Sequence, residues 1–327
     1  MKKKILEVLK KNKNNFISGE QLSNQLGVTR TSIWKHVNAL KEEGYEIESI
    51  SRKGYKLIKE PDILSRDELL IELESDRLGN DIHCFKTIDS TNNYAKKLAL
   101  DGALEGTIVI SEEQTGGRGR LGRHWVSPAG DNIYMSMILR PTIYPNEAAK
   151  ITIIAAASIA NSINKVTGLE AGIKWPNDII IDNKKVCGIL TEMSAELNNI
   201  NYVILGMGVN VNIDKFPKEI DHIATSLKKA LGTEVSRKEI LINIVKEFEE
   251  LYYNFINTGS LKKTVDICKK KSVTLGKIVN IINKNEIMIA EAIDITENGE
   301  LVIRKDNGEI INIISGEVSV RGIDSYV

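Results

Sequence analysis

The ten residues from Gly116 to Trp125, GGRGRLGRHW, suit neither a helix interior nor a core strand. Glycine loses too much backbone freedom in a helix, and interleaved arginines cannot be buried in a sheet. The segment is therefore a loop whose backbone can approach a ligand closely, with arginines that face something anionic. Taken alone, the string also reads as a solvated basic loop or an RG-type nucleic-acid contact. Its flanks favour a site. The apolar run Thr107 to Ser111 leads in, and Asn132 to Leu139 leaves with strand-like patterning, so the loop hangs from the end of a sheet.

At 327 residues the chain is long enough for roughly two to three domains. Its net charge of zero hides an asymmetry: residues 1–60 hold 13 Lys and Arg against 7 Asp and Glu, leaving 31 against 37 for the rest. A basic head on a mildly acidic body implies that the head alone meets a polyanion. Cys84, Cys187 and Cys268 are far apart and form no CxxC, so neither a disulfide framework nor a zinc site is signalled, and a reducing cytoplasm is expected. The Lys-rich start leads only into ILEVL, interrupted by Glu7, too short for a signal-peptide core. The longest apolar run, Ile151 to Ala160, falls short of the ~20 residues a membrane span needs.

Residues 18–43 carry helix-turn-helix spacing. Leu22 and Leu26 share one helical face, Gly27 supplies a sharp turn, and Thr29 caps a second helix bearing Ile33, Val37 and Leu40. Arg30, Thr31, Ser32, Lys35 and His36 are left to contact phosphates and base edges, with Ser18 at the first helix start. Tyr45 to Ile50 and Tyr55 to Ile58 alternate as a two-stranded wing whose tip holds Arg52 and Lys53. DNA binding is expected; an ordinary helical hairpin lacks such a wing. Pro61 ends the unit, and Ser65 to Glu68 reads as a capping box opening a short helix after a brief linker.

A larger α+β unit begins at Ile82. The strand IHCFKTI runs into Asp89-Ser90-Thr91-Asn92, whose hydroxyls and amides either cap the helix Tyr94 to Leu100 or present donors to a small ligand. A buried helix is expected from about Asn146 to Lys165, then the rigid turn GIKWPND with Lys174, Asn177 and Asp178. Lys185 stands at the start of an apolar strand. Gly188, Gly206 and Gly208 leave gaps in adjacent strands, as a flat ligand slot requires, with Asn210 just beyond. Amphipathic helices follow near Arg237 to Ile256 and Leu261 to Lys270. Residues 273–327 then show about five short strands with Asn298-Gly299 and Asn307-Gly308 as tight turns, the pattern of a small β-barrel.

Together and in this order, these motifs resemble the bifunctional biotin protein ligase and biotin operon repressor family. The resemblance rests on the winged helix-turn-helix, DSTN at 89–92, Gln114, GRGRLGR at 117–123 with Trp125, KWPND at 174–178, KVCGIL at 185–190, GMGVNVN at 206–212 and the terminal barrel. It implies an α+β multidomain fold: a winged helix-turn-helix over 1–62, a catalytic α/β domain on a mixed, class II synthetase-like sheet over 63–271, and an SH3-like barrel over 272–327. The implied reaction joins biotin to ATP, giving biotinyl-5′-AMP and pyrophosphate, after which a lysine of a biotin carrier domain attacks the mixed anhydride. The implied repressor is a homodimer on operator DNA when liganded.

The residues fit that chemistry. Biotin has a polar ureido head on an apolar body; Ser90, Thr91, Asn92, Gln114 and the backbone near Gly117, Arg118 and Gly119 offer the polar groups. Two anions must meet when the carboxylate attacks the α-phosphate, so Arg118, Arg120 and Lys185 are the expected catalytic cations, with Mg²⁺ held mainly through the phosphates and no protein metal ligand assigned. Trp125 is placed over the adenine, and Asn177 or Asp178 beside Lys174 or the metal. Two other readings stay open here: a lipoate-type ligase, and a ligand-sensing repressor without ligase turnover.

Overall fold

The computed structural model describes residues 1–73, 75, 77–283, 286–315, 319–322 and 326. Contacts divide the chain into two compact units, Met1–Glu74 and Ser75–Val327.

The first unit contains α1 (Lys2–Lys11), α2 (Gly19–Leu26), α3 (Arg30–Glu42), the antiparallel hairpin of β1 (Glu46–Ile50) and β2 (Gly54–Lys59), and α4 (Arg66–Glu72). Ser18 accepts from the Gln21 amide while the Gln21 side chain accepts from the Ser18 amide, Thr29 caps α3, and Gly27 ends α2 at φ 66°. Such reciprocal caps satisfy amides that helix starts leave without partners. Leu6, Leu22, Ile33, Val37, Leu40 and Leu57 make its core. At Gly54 (φ +108°) a β-carbon would lie 2.1 Å from the Ile17 carbonyl oxygen, so only glycine lets the wing close against α2's approach.

The domain boundary expected at residue 62 differs from the end of the compact unit by one helix, because α4 is tied into the first unit through charge. Ser65 accepts from the Glu68 amide as expected, but the Glu68 carboxylate turns inward and is fully buried, taking the Tyr45 hydroxyl and the Lys10 ammonium. Lys10 also reaches Glu60 at 2.8 Å and Glu72 at 2.5 Å. Burial and the Glu68 carboxylate push the Tyr45 phenol well above its ordinary value, so it stays a donor.

The second unit is built on a seven-stranded mixed sheet: β3 (Ile82–Ile88), β4 (Ile108–Gln114), β5 (Ile133–Leu139), β6 (Gly172–Lys174), β7 (Asp178–Ile181), β8 (Lys184–Glu196) and β9 (Asn199–Val209), in the order β3-β4-β5-β9-β8-β7-β6. β3 and β4 are parallel, joined through α5 (Thr91–Leu100); every other pairing is antiparallel. Ala95 and Ala99 of α5 pack on Val109, Ile138 and Ile204. On the opposite face lies α6 (Ala149–Thr167), with Thr152 and Thr191 hydroxyls 2.8 Å apart, since Thr191 pairs with Leu205 and strand neighbours alternate faces. After α7 (Leu227–Leu231), α8 (Arg237–Thr258) and α9 (Lys262–Lys270) pack on α6.

The C-terminal strands β10 (Ile278–Asn283), β11 (Glu286–Ile295), β12 (Leu301–Arg304), β13 (Ile310–Ile313) and β14 (Ser319–Gly322) form an antiparallel sheet in the order β13-β12-β11-β10-β14. Gly299 and Gly308 turn its hairpins at φ 82° and 83°. A closed barrel needs a ladder between β13 and β14; among the described residues these are the two edges, so the sheet is open.

Lys10 gathers three carboxylates, one fully buried, so its removal leaves like charges together in a low-dielectric place. Lys10→Met should destabilise the first unit by roughly 3 kcal/mol, the order found when one partner of a buried pair is deleted. Hydrogen exchange should then accelerate in α1 and α4 but not in β5, and adding Glu68→Gln should recover part of the loss. Unchanged protection in α1 would contradict this.

Candidate functional site

The face of the sheet that carries α5 holds a cavity of about 240 Å³. Register explains its floor. Gly208 pairs with Gly188 and Tyr134, and Gly206 with Leu190 and Ser136, so the missing side chains lie side by side on one face. The sequence reading expects these gaps to form a flat slot; in the structure protein side chains enter them. A β-carbon on Gly206 would meet Asn92 Oδ1 at 2.2 Å, and one on Gly208 or Gly188 would meet the Trp125 ring at 2.5 or 3.0 Å. The indole N–H of Trp125 is buried there with no acceptor among the described residues.

The start of α5 supplies a polar wall. Ser90 makes no side-chain cap and lines the cavity; Gln114 Oε1 instead accepts from the Thr91 amide at 2.9 Å. Gln114 Nε2 donates to Ser127 Oγ at 3.0 Å. Asn92 spends both ends of its amide on protein partners, Ser136 Oγ at 2.6 Å and Glu192 Oε2 at 2.7 Å. It therefore shapes the wall through others.

The Gly-Arg segment folds as a loop from the end of β4, as its composition dictates. Two backbone bonds close it, Trp125 N to Gly117 O at 2.9 Å and Gly119 N to Arg123 O at 2.7 Å. Gly117 is buried, and a β-carbon there would lie 2.5 Å from the Trp125 carbonyl oxygen. Arg118 is exposed and donates to Asn93 Oδ1, whereas Arg120 is half-buried and donates to Asn177 Oδ1 at 2.9 Å.

Three adjacent strands then place the charges. Lys174 ends β6, Asp178 starts β7 opposite it, and Lys185 enters β8. Lys185 Nζ lies 2.6 Å from Asp178 Oδ1 and 5.3 Å from the Trp125 ring centre. The Tyr326 hydroxyl donates to Asp178 Oδ2 at 2.5 Å, and Lys174 Nζ reaches the Tyr326 carbonyl and lies 3.6 Å from its ring centre. Burial opposes the charge on Asp178, yet Lys185, Tyr326 and Lys174 hold its carboxyl below the usual range. Burial likewise pushes Lys174 down to about 8, against the pull of Asp178. Lys184 takes no part: its ammonium donates to the Asp221 carbonyl at 3.0 Å.

Sequence reasoning missed the apolar side of the cavity. Phe216, Ile220, Ile223 and Ala224 line it from the loop after β9. Asn210 clamps that loop by donating to the Thr225 carbonyl at 3.1 Å, and Lys185 both donates to Ile223 O and accepts from Thr225 N. Asn210 thus holds the wall in place. Apolar residues spaced through an otherwise polar loop were the available signal. Tyr326 was missed too, since nothing local marks a tyrosine near a C-terminus as belonging to a distant site.

In the first unit, Arg30, Thr31 and Lys35 are exposed on α3, and Ser32 and His36 are half-buried. Ser18 is half-buried and spends its hydroxyl on the α2 cap, while Arg52 and Lys53 stand exposed at the wing tip. Arg30 meets Glu20 at 2.7 Å in an exposed pair that costs little to open. Trp34, 55% exposed beside these basic groups, is a further contact candidate the sequence reading left out.

Residues 2–56 match an HTH domain, 84–210 the biotin/lipoate A/B protein ligase family, and 274–321 the biotin protein ligase C-terminal domain. The chain is 41% identical over 261 residues to the bifunctional ligase/repressor BirA of Bacillus subtilis, covering 79% of this chain and 80% of that one. With the protein of the same name from Escherichia coli it shares 29% over 245 residues, 75% of this chain and 74% of that one. The solved biotin protein ligase of Aquifex aeolicus in complex with biotin and ATP superposes with a TM-score of 0.67 at 31% identity, covering 74% of this chain and 99% of that one. With a ligase-type cavity on the central sheet and a helix-turn-helix ahead of it, the chain belongs to the family of bifunctional biotin protein ligase/repressors.

Proposed function

We propose that the cavity binds biotin with its ureido ring against Thr91, Gln114 and the backbone at Gly117 and Arg118. The valerate carboxylate and the α-phosphate of ATP then meet among Lys185, Arg118 and Arg120, and the adenine lies toward Trp125 and the loop of Phe216, Ile220 and Ile223. The observation that carries this reading is the joining, in one cavity, of an uncharged hydroxyl and amide wall with a cluster of cations. A neutral polar head and two anions need both.

The chain is a biotin protein ligase, and its side chains work by placement. A carboxylate oxygen of biotin bonds to the α-phosphorus as pyrophosphate leaves, so no side-chain nucleophile is needed. Lys185 offsets the negative charge that grows on the oxygens between carboxylate and phosphate, already held in position by its backbone bonds and by Asp178. The ε-amine of a carrier-domain lysine next attacks the acyl carbon; the bond to AMP breaks and the amine proton passes to solvent. Mg²⁺ would neutralise phosphate charge when bound. Asp178 is the carboxylate among the described cavity residues, and both its oxygens are engaged, which suits an ion that arrives on the phosphates.

The same chain is a repressor. We infer that biotinyl-AMP is the corepressor, that ordering of the Gly116 to Arg123 loop over it favours a homodimer, and that the dimer reads a two-fold operator through α3 and the wing. In this reading the first unit, through residue 74, holds the DNA contacts, the second unit up to residue 271 is the catalytic domain, and 272–327 is an SH3-like module. Three free thiols, at Cys84, Cys187 and Cys268, support a cytoplasmic site of action.

Single-turnover adenylate formation tests the chemical assignment. Lys185→Ala should slow it by ~10²- to 10³-fold with a smaller effect on biotin affinity, while Lys184→Ala does little; equal small effects would remove Lys185 from the chemistry. Separately, Arg30→Ala with Lys35→Ala should weaken operator binding and flatten its salt dependence by about one unit of slope per lost phosphate contact, with ligation near wild type. Parallel loss of both activities would sink that separation.

A further inference from the structure

The polar wall behind the ureido position is one continuous chain of groups, and counting its protons fixes its direction. At one end Glu192, outside the cavity, is ionised beside Lys96 Nζ at 2.6 Å and accepts only. The Asn92 amide must therefore turn its NH₂ to Glu192, at 2.7 Å, and its oxygen to Ser136. At the other end the Ser127 hydroxyl is 3.0 Å from the Trp125 carbonyl, its natural acceptor, so Ser127 Oγ accepts from Gln114 Nε2 and Gln114 presents its oxygen to Thr91. Between these two fixed acceptor oxygens lie three contacts: Asn92 Oδ1 to Ser136 Oγ at 2.6 Å, Ser136 Oγ to Thr91 Oγ1 at 2.8 Å, and Thr91 Oγ1 to Gln114 Oε1 at 3.1 Å. Two hydroxyls bring only one proton each. Asn92 Oδ1 can only accept, so Ser136 gives it its one proton. The Thr91 proton then goes to Gln114 Oε1 or to Ser136 Oγ, and either way it is spent within the wall. Thr91 Oγ1 is left as an acceptor at the cavity wall, where Thr91 is a lining group.

We infer that Glu192 is a positioning residue for ureido recognition: its carboxylate orients Asn92, and through Ser136 it makes Thr91 Oγ1 an acceptor awaiting a ligand N–H. The inference deepens the biotin reading and rests on it. Gly206 belongs to the same device, since a β-carbon there would displace the Asn92 oxygen. Burial opposes the charge on Glu192, but Lys96 and Asn92 hold its carboxyl below the usual range, in keeping with an accept-only role.

Calorimetry of biotin binding, with steady-state kinetics, tests it on the full chain. Glu192→Gln frees the Asn92 amide to turn over and should weaken biotin binding roughly 10- to 100-fold, as for a buried hydrogen-bond partner misaligned, with kcat at saturating biotin and the melting midpoint retained. Asn92→Asp alone sets two carboxylates face to face and should bind worse. The double variant Glu192→Gln/Asn92→Asp restores a donor facing an acceptor and should return to within about threefold of wild type, a coupling that independent sites do not show. Additive losses in the double variant overturn the inference, as does unchanged affinity in a folded Glu192→Gln protein or a fall in kcat with biotin affinity intact. Absence of biotin binding by wild type would instead overturn the underlying reading.

Discussion

The site depends on one carboxylate set between cations. Lys174 of β6 and Lys185 of β8 project from the two strands that flank β7 into a partly buried space where two ammonium groups would repel. Asp178 stands between them, 2.6 Å from Lys185 and held on its other oxygen by Tyr326. Attraction is stronger in this low-dielectric place than in water, so the lysines are fixed before substrate arrives and little reorganisation is left for the reaction. Strand register places all three, while the C-terminal sheet secures the turn that carries Lys174: Trp175 donates from its ring to the Gly299 carbonyl at 3.0 Å and from its backbone to Thr274 at 3.1 Å.

Around that centre, glycines decide what comes close to what. At 206 the absent side chain admits Asn92, and at 188 and 208 it admits the Trp125 ring. The sheet floor is thus a bed for other side chains, which in turn form the walls. The buried polar frame continues behind it: Arg237 pairs with Glu112 at 2.5 Å, and Asn132 holds the Val211 amide at 2.9 Å. Breaking such a frame leaves buried groups without partners, which is why a polar network of this kind gives a site one shape.

Much of this was legible in the sequence where local chemistry decides the outcome. Gly27 and Thr29 fix the turn between α2 and α3, Asn298-Gly299 and Asn307-Gly308 fix two hairpins, and the Gly-Arg loop could be nothing but a loop. The opposite fates of Lys184 and Lys185 follow from strand alternation. What escaped is what depends on long-range pairing. α4 looks like the start of a new domain until Lys10, more than fifty residues earlier, is seen to bind Glu68 and Glu72. Asn92 looks like a ligand contact until Glu192 and Ser136 claim both ends of its amide. The open edges of β13 and β14 could not be read from strand spacing, because closure is a matter of which strands pair, not how many there are.

In the proposed reaction one cavity makes an acyl-adenylate and keeps it until a carrier lysine arrives. Pyrophosphate and AMP release, followed separately in one time course with biotin and ATP, tests this most directly. Biotin-dependent pyrophosphate release should stop near one equivalent per site, with AMP appearing in step with carrier biotinylation only after a biotin carrier domain is added. No biotin-dependent pyrophosphate, or AMP release at the same rate with and without the carrier, would contradict it.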